Sequence, residues 1–448
     1  MWDEEFNRQE FSIPLLDEVT LKSALCDYPK MEPYLRVALK CEERINDSKF
    51  AHDLGLPPSY KYRALAHLVD TCVKQETVQK IFRQSLILCV HPRNLSISTA
   101  LVTPWLHPGA PPEAFKLMRR MYVGERAVFR RLTREYWEMP HHVDKLLRNQ
   151  FTEGKYRFSA AAAALSFFKV FPWELHQYLR RIVLHENAVS VARPECHGLG
   201  FIPLCQLNPQ LRIERRVDIW RTVFQTINDE SPSLFFSHER QWLDTPNLDG
   251  TPTRRPRNYY RDDQPLPPGL PSHLATHRLG LWIMEALELK DSGMPPGSFK
   301  LVLDGGPVSD QCSEIFRTRV QRGAVWQEAY TRILDKTAPE ERDWFQERRA
   351  PCYYFDGFPE AILDLANQRC DIVECSFNTG PSMWDVEQEL SRFRLSKKSF
   401  VDWFAEQETI LHPDPPLPKW RDLLAENILP QFFDHDYAQT PIYHTADL

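Results

Sequence analysis

Four stretches of this chain carry apolar residues at helical spacing, and each is followed by a short run rich in β-forming residues. The apolar helical positions fall in residues 167–179, 201–208, 279–287 and 358–365. The short runs after them are 182–184, 211–213, 299–303 and 372–377. A period near 3.6 followed by a compact apolar or alternating run is the pattern of parallel α/β units. Each helix of such a unit covers a face of a sheet built from the strands, so the pattern predicts a mixed α+β or α/β fold.

The spacing of these units decides between two kinds of parallel sheet. The first two strand centres lie about 29 residues apart, within the range of leucine-rich repeats. The following gaps are about 90 and about 70 residues, whereas a strict solenoid would keep its period. Degenerate helix–strand units in a leucine-rich-repeat-like array are therefore one prediction, and an ordinary open sheet is the other.

The pattern divides the chain into five segments. We predict a mainly helical N-terminal region over 1–155, two α/β units over 156–243, a Pro/Arg-rich loop or linker over 244–272, further α/β units over 273–395, and C-terminal capping helices and a tail over 396–448. The tail segment begins with an amphipathic helix predicted over 398–410.

The loop or linker contains seven prolines along its length, and three of its arginines lie within four residues of one another. Proline excludes regular helix and central strand, so we expect a surface excursion that is dispensable for folding. Tyr259, Tyr260 and Leu266 are its main apolar side chains. Between the last two units, helices are predicted near 309–335 and 338–349, the second opening on a capping-box pattern at Thr337–Glu340.

Composition excludes some classes of protein. Hydrophobic content of 42% and aromatic content of 12% suffice for a folded core, and a net charge of -6 gives no general attraction to nucleic acid. The ten cysteines are scattered without a C-x-x-C pair, which favours reduced thiols. The acidic start of the sequence lacks a signal peptide, and no apolar stretch is long enough to span a bilayer. We therefore expect an intracellular protein, cytoplasmic or nuclear, with no membrane partner.

The most site-like motif is Leu303-Asp304-Gly305-Gly306-Pro307, with Asp310 shortly after it. Open α/β sheets place ligands at the carboxyl ends of their strands, so Asp304 and Asp310 are candidates for a metal site or for acid and base. The alternative is turn chemistry, with Ser309 or Asp310 capping the next helix. Phosphate-loop, nucleophile-elbow and zinc-protease motifs do not occur, so no cofactor and no metal is predicted.

Imidazoles and thiols add three weaker groups. They are His141-His142, Cys196-His197 with Cys205, and Asp434-His435-Asp436 with His444. Each lacks a fourth ligand at metal-site spacing or resembles a solvated segment, so a structural interpretation is favoured.

One local block is strongly basic. Residues 116–134 interleave cations with apolar residues at helical spacing, and the candidate partner-binding arginines are Arg119, Arg120, Arg126, Arg130 and Arg131. This could form a basic face for an acidic partner or nucleic acid. The alternative is the solvated face of an amphipathic helix. The acidic balance of the whole chain speaks against nucleic acid.

Residues 178–186, 212–220, 299–305 and 354–361 together resemble a group of proteins from filamentous ascomycete fungi, over about 156–385 of this chain. Some members of the wider group begin with an F-box-like helical segment. Its nearest equivalent here is Leu56-Pro57-Pro58 with Leu65, Leu68 and Val69. The group carries no established activity. The resemblance implies an α/β fold and protein interaction. Through the F-box-like segment it also implies a Skp1-like adaptor as partner, with which this protein would recruit a target for ubiquitylation.

These observations favour a protein-interaction protein, scaffold or adaptor-like, without an identifiable catalytic site. Two alternatives remain open. One is an enzyme of unrecognised type with its site near Asp304 and Asp310, and the other is a protein that binds nucleic acid or an acidic partner through residues 116–134.

Overall fold

Four parallel strands form the central sheet of the molecule. A computed structural model describes residues 18–32, 55–74, 158–190, 193–224, 270–342, 346, 354–381, 384–399, 402–403, 409–411 and 414. Its strands are β1 (Arg181–Glu186), β2 (Arg212–Asp218), β3 (Leu270–Pro271), β4 (Phe299–Asp304), β5 (Val373–Cys375) and β6 (Ile410–Leu411). The main sheet has the order β1-β2-β4-β5 with every pair parallel, and β3 pairs with β6 in a small antiparallel sheet.

Ten α-helices accompany these strands in the described residues: α1 (Glu18–Asp27), α2 (Pro58–Lys74), α3 (Ala160–Val170), α4 (Trp173–His176), α5 (Ile202–Leu207), α6 (Ser272–Asp291), α7 (Ser309–Ile315), α8 (Gln321–Leu334), α9 (Phe358–Ala366) and α10 (Val386–Ser396). A π-helical segment, Phe316–Val320, joins α7 to α8, and another, Ile219–Val223, follows β2. A 3₁₀ segment, Pro194–Phe201, leads into α5. None of the described helices is long and apolar enough to cross a membrane.

The helices that the structure describes cover one face of the main sheet. Its strands follow one another across the sheet in sequence order, and right-handed crossovers that always step in the same direction place every connecting helix on the same side. The strand residues of the main core cluster all belong to that side: Leu184, Ile213, Val217, Phe299, Leu301, Leu303 and Val373. They pack against apolar residues of α3, α5, α6, α7 and α9. The result is a two-layer fold, helices on one face of a parallel sheet.

The prediction of a mixed fold with parallel strands is confirmed, and all four predicted strands form. The leucine-rich-repeat-like arrangement is not confirmed. The apolar stripe predicted for the first unit is only partly buried: Phe168 and Leu179 pack against the core, whereas Phe167 and Tyr178 are exposed. The residues that α3 buries fully are Ala161, Ala162 and Leu165. Alanine lets the helix approach β1 closely, and the aromatic rings are left at its carboxyl end.

Two local predictions are corrected by the structure. The predicted capping box after α8 does not form: the Thr337 hydroxyl donates back to the Ile333 carbonyl at 3.0 Å, and a 3₁₀ segment, Pro339–Glu341, follows without a side-chain cap. The loop predicted over 244–272 ends before residue 272, since Leu270 is buried in β3 and Ser272 opens α6. Residues 244–269, with Tyr259, Tyr260 and Leu266, lie outside the described residues.

Parts of both terminal segments pack on the α/β body. Met31, Leu56, Tyr60 and Ala64 form a small buried cluster, and α2 docks on α6 through a Ser59 N–H that donates to Glu285 at 2.7 Å. Near the other end, Trp403 stacks on Trp326 of α8 with ring centroids 5.1 Å apart. Within the helix predicted over 398–410, residues 402–403 are helical, whereas 398–399 and 409 are not, and residue 410 belongs to β6.

Candidate functional site: the open face of the parallel sheet

The face of the main sheet that points away from the helices is polar. Side chains alternate across each strand, so the residues between the core positions share this open face. Its members are Arg181, Val183, His185, Arg212, Glu214, Arg216, Asp218, Lys300, Val302, Asp304 and Glu374. All are exposed or half-buried except Val302. The strand register places Val302 between Arg216 and Glu374, so charged residues flank it on both sides.

Ion pairs cross the open face from strand to strand. Arg181 and Arg216 both bind Glu214, at 2.7 and 2.6 Å, and Lys300 binds Glu374 at 2.9 Å. The hydrogen bonds from Arg181 and then Arg216 lower the pKa of Glu214. Exposed ion pairs of this kind contribute at most about 1 kcal/mol each. They keep a sheet face soluble, and their charged groups can exchange partners at little cost.

At the carboxyl edge of the sheet, the candidate Asp304 lies beside Asp218, its register neighbour on β2. The Asp304 Oδ1 atom accepts hydrogen bonds from the Gly306 N–H and the Ser376 hydroxyl, both at 2.9 Å, and Oδ2 is 3.6 Å from Arg216. These hydrogen bonds agree with the interpretation of the Asp-Gly-Gly-Pro motif as a turn. Asp304 closes the turn after β4 and ties it to the segment after β5.

Asp218 was missed by sequence reasoning, because the predicted run 211–213 stops five residues before it, whereas β2 extends to Asp218. Its Oδ1 atom accepts from the Arg221 N–H at 2.9 Å and caps the π-helical segment. Burial raises the pKa of Asp218, and the neighbouring charge of Asp304 adds to that rise. Both carboxylates thus serve local backbone structure.

The other candidate, Asp310, is an exposed residue in the first turn of α7. The predicted capping role for Ser309 or Asp310 is wrong, because Val308 occupies the N-cap position and the Ser309 hydroxyl donates to the Gly306 carbonyl. Burial, with Asp218 and Asp304 nearby, raises the pKa of the Cys312 thiol to about 12. A thiol so hard to ionise is a poor nucleophile at neutral pH.

No group of three or more His, Cys, Asp or Glu residues among the described positions could hold a metal ion. The sequence candidates around Cys196 have other roles. Cys196 is buried, which raises its thiol pKa, and the neighbouring His197 has its Nδ1 atom 2.7 Å from the Ser159 hydroxyl. The groups at His141 and Asp434 lie outside the described residues.

Beneath the sheet, on its helix-covered face, is a buried polar centre that sequence reasoning did not find. Arg215 and Glu186 form an ion pair there, and a small cavity between Arg215, Trp282 and Glu285 adjoins it. The available signal was the alternation itself, since Glu186 and Arg215 occupy positions in β1 and β2 that the pattern assigns to the core. Both charged groups are fully engaged, so this centre stabilises the fold.

The remaining sequence candidates divide between described and undescribed parts of the chain. Arg119, Arg120, Arg126, Arg130 and Arg131 lie outside the described residues, so the basic block remains a prediction. The Leu56-Pro57-Pro58 motif is described, and all three residues are buried within this chain.

Comparisons with family models, with curated proteins and with solved structures find no match to this chain. Functional inference therefore depends on the fold and its surfaces.

Proposed function

We propose that this protein is a protein-interaction protein, scaffold or adaptor-like, that binds a folded partner across the open face of its parallel sheet. The observation that carries the proposal is the placement of the described helices, which cover one face of that sheet and leave Arg181, Lys300 and Glu374 of the other face exposed. All-parallel sheets occur almost only with both faces covered. The main exceptions are solenoids such as leucine-rich repeats, in which the uncovered face is an extended binding surface. The consecutive strand order of this sheet supports a comparison with them.

The chemistry of the open face fits a partner of mixed charge. Arginine and lysine side chains alternate there with carboxylates, and only Val183 supplies an exposed large apolar side chain from a strand of this face. Such a surface gains specificity and association rate from complementary charge more than from buried area. The existing pairs, such as Arg181 with Glu214, can open and form again with partner groups.

A more specific form of the proposal, called here the adaptor refinement, is that the F-box-like segment binds a Skp1-like partner. Leu56 is 1% exposed and packs with Met31, Tyr60 and Ala64, so an adaptor that reads this motif would have to displace α2 from the body. A pull-down with the intact protein tests this refinement. Recovery of no Skp1-like adaptor would remove it and leave the interaction proposal standing.

The enzyme alternative is less well supported than the interaction proposal. The Asp304 carboxylate is hydrogen-bonded within a turn, and Asp310 is exposed in α7. The nucleic-acid alternative is tested by reversing Arg119, Arg120, Arg130 and Arg131 to Glu. Equal salt-dependent binding of nucleic acid by the unmodified protein and by this variant would exclude the nucleic-acid alternative.

The central experiment compares partner recovery by matched charge-reversal variants of the full chain. The face variant carries Arg181→Glu and Lys300→Glu. The control variant carries Arg369→Glu and Lys290→Glu, which are equally exposed and equally paired, with Asp364 and Asp371, away from the open face. Quantitative mass spectrometry would compare the proteins that each tagged variant retains in extracts.

We expect the control variant to retain the same partners as the unmodified protein and the face variant to lose at least one of them. The purified partner should then bind the face variant at least tenfold more weakly, by roughly 1.4 kcal/mol or more. Identical partner sets and affinities for the two variants would overturn the proposal.

A further inference from the structure

A second surface exposes large apolar side chains at the amino edge of the main sheet. We name it the amino-edge patch, and its members are Phe167, Val170, Leu175, Tyr178 and Leu207. Val170 is 81%, Tyr178 68% and Leu207 70% exposed. Single exposed apolar residues are ordinary, but several on one surface mark a place of interaction. Phe167 and Val170 lie in the last turn of α3, Leu175 lies in α4 and Tyr178 follows it, and Leu207 ends α5. These segments lead into β1 and β2, so the five residues lie near the starts of those strands.

Contacts beneath the amino-edge patch hold its three helices together. The Phe167 and Phe171 rings have centroids 5.0 Å apart, and Phe171 stacks on His176 at 5.4 Å. The Asn208 side-chain amide donates to the His176 and Leu179 carbonyls, both at 2.8 Å. The end of α3, all of α4 and the end of α5 therefore form one supported surface with its apolar side chains outside.

The rim of the amino-edge patch is basic. Arg180 and Arg212 are exposed neighbours, because the Arg212 N–H donates to the Arg180 carbonyl at 2.8 Å. Their guanidinium groups donate to the backbone carbonyls of Gln177 and Pro209, each at 2.6 Å. Among the described residues neither has a carboxylate partner, in contrast to Arg181 with its Glu214. Each guanidinium has five N–H donors and keeps several free for a ligand.

We propose that the amino-edge patch binds a short acidic segment of a partner protein that carries large apolar side chains. Its apolar residues would cover Val170, Tyr178 and Leu207, and its carboxylates would pair with Arg180 and Arg212. Arginine binds carboxylates in a two-pronged geometry, which gives such a site direction as well as affinity. The site goes beyond the open face and does not depend on it.

Charge complementarity selects this occupant over a second copy of the chain. In a two-fold dimer the same patch meets itself, so Arg180 and Arg212 of each copy would outnumber Glu174, the one exposed carboxylate that α4 contributes. Nucleic acid would leave the apolar side chains uncovered, and the net charge of -6 opposes it. A peptide with both acidic and apolar residues satisfies both parts of the surface.

The test selects peptides from a random 12-residue display library on the intact protein. The enriched peptides are then measured by fluorescence polarisation against three variants. The apolar variant carries Val170→Ser and Leu207→Ser, and the basic variant carries Arg180→Glu and Arg212→Glu. The control variant carries Arg394→Glu and Leu395→Ser on α10, where Leu395 is 82% exposed.

We expect the enriched peptides to combine Asp or Glu with large apolar residues. The apolar and basic variants should each bind at least tenfold more weakly, and the control should stay within twofold of the unmodified protein. A copy of the best peptide with Lys in place of its acidic residues should recover binding to the basic variant. Recovered binding would show that the basic variant is folded and that it had lost only its charge complementarity. If the two Arg→Glu changes unfold the protein, Arg180→Gln with Arg212→Gln replaces them as the basic variant.

Three outcomes would overturn the proposal. They are enriched peptides without acidic residues, equal binding by the apolar and control variants, and self-association that Val170→Ser with Leu207→Ser abolishes. The last result would assign the amino-edge patch to a second copy of the chain.

Discussion

The guanidinium group of Arg215 lies 2.7 Å from the Glu186 carboxylate on the helix-covered face of the sheet, and the two side chains are 1% and 2% exposed. Arg215 also lies over the Trp282 ring, 4.8 Å from its centroid. Glu186 accepts the Ala160 and Ala161 N–H groups, which open α3. Burial acts to raise the pKa of Glu186, but the Arg215 charge and these backbone donors outweigh it and leave that pKa lowered.

Removing either partner of this pair should destabilise the fold strongly. Glu186→Leu leaves Arg215 charged and unpaired in the core. It also removes the acceptor for the Ala160 and Ala161 N–H groups, so we expect the free energy of unfolding to fall by about 3–5 kcal/mol. Arg215→Met should cost less, because the two backbone donors still hold the carboxylate. The double variant should be more stable than Glu186→Leu alone. Urea unfolding monitored by circular dichroism measures all three free energies.

The control for the buried pair is an exposed one, Arg369 with Asp364 at 2.8 Å. Asp364→Leu should change the free energy of unfolding by at most about 1 kcal/mol. If Glu186→Leu cost no more than this control, the pair would not organise the core.

Stability should fall as pH rises through the titration of Glu285. Burial raises the pKa of this carboxyl to about 7, against 4.5 for a free glutamate, although hydrogen bonds from Ser59 oppose the rise. Between these two values the folded protein holds a proton that the unfolded chain releases. The Glu285 contribution therefore decreases with rising pH over that window, by roughly 3 kcal/mol, and is constant above it.

Glu285→Gln should remove this dependence and should stabilise the protein most above pH 7. The amide can still accept from the Ser59 N–H, so α2 keeps its contact with α6. Unfolding free energies at pH 5.5, 6.5 and 8 for the variant, the unmodified protein and the exposed control Glu314→Gln give the comparison. A difference between Glu285→Gln and the unmodified protein that does not change with pH would contradict the assignment.

The stacking of Trp403 on Trp326 predicts that the C-terminal segment stabilises the body. Trp403 is buried and also meets the Phe393 ring at 5.2 Å. Trp403→Ala should lower the free energy of unfolding by about 3 kcal/mol, since it opens a large cavity against α8. Leu395→Ala, on an exposed position of α10, should change it by less than about 0.5 kcal/mol. Similar losses in the two variants would show that the segment does not contribute.

Because the Asp304 carboxylate accepts hydrogen bonds within a turn, we expect Asp304→Ala and Asp304→Asn to differ in their effect on stability. Asp304→Ala loses the acceptor for Gly306 and Ser376 and should cost about 2 kcal/mol, whereas Asp304→Asn keeps an acceptor oxygen and should cost less than about 1 kcal/mol. Thermal shift with divalent cations adds the functional readout. We expect no cation to stabilise either the unmodified protein or Asp304→Asn. A cation-dependent rise in Tm that Asp304→Asn abolishes would instead establish a metal site.

Several elements could be predicted from local sequence because their signals are local. Pro209 ends the helix before β2, and Gly293 with Pro295 ends α6 before β4. Apolar runs such as 299–303 predict strands wherever they occur. The stripe of α9 was also correct, since Phe358, Ala361, Ile362 and Leu365 are all buried.

The predictions that failed have a common cause. Periodicity identifies the residues that share one face of a helix or strand, but it does not show which other element packs against that face. In α3 the ring of Phe167 is exposed and that of Phe168 is only half-buried, while Ala161 and Leu165 are buried in the core. In β1 the predicted apolar run 182–184 is divided between the two faces, since Leu184 is buried and Val183 is exposed. Glu186 and Arg215 fill core positions because each provides the other with a counter-charge.

The helix–strand units, their parallel character and the turn at Asp304 could be predicted without the structure, because each is encoded by residues adjacent along the chain. Tertiary packing sets the direction in which the strands add, and it places the described helices on one face of the sheet. It also decided that Asp218 lies beside Asp304 and that Arg180 and Arg212 border an apolar patch. These relationships depend on the direction of each crossover and on packing between distant residues, and no local pattern contains that information.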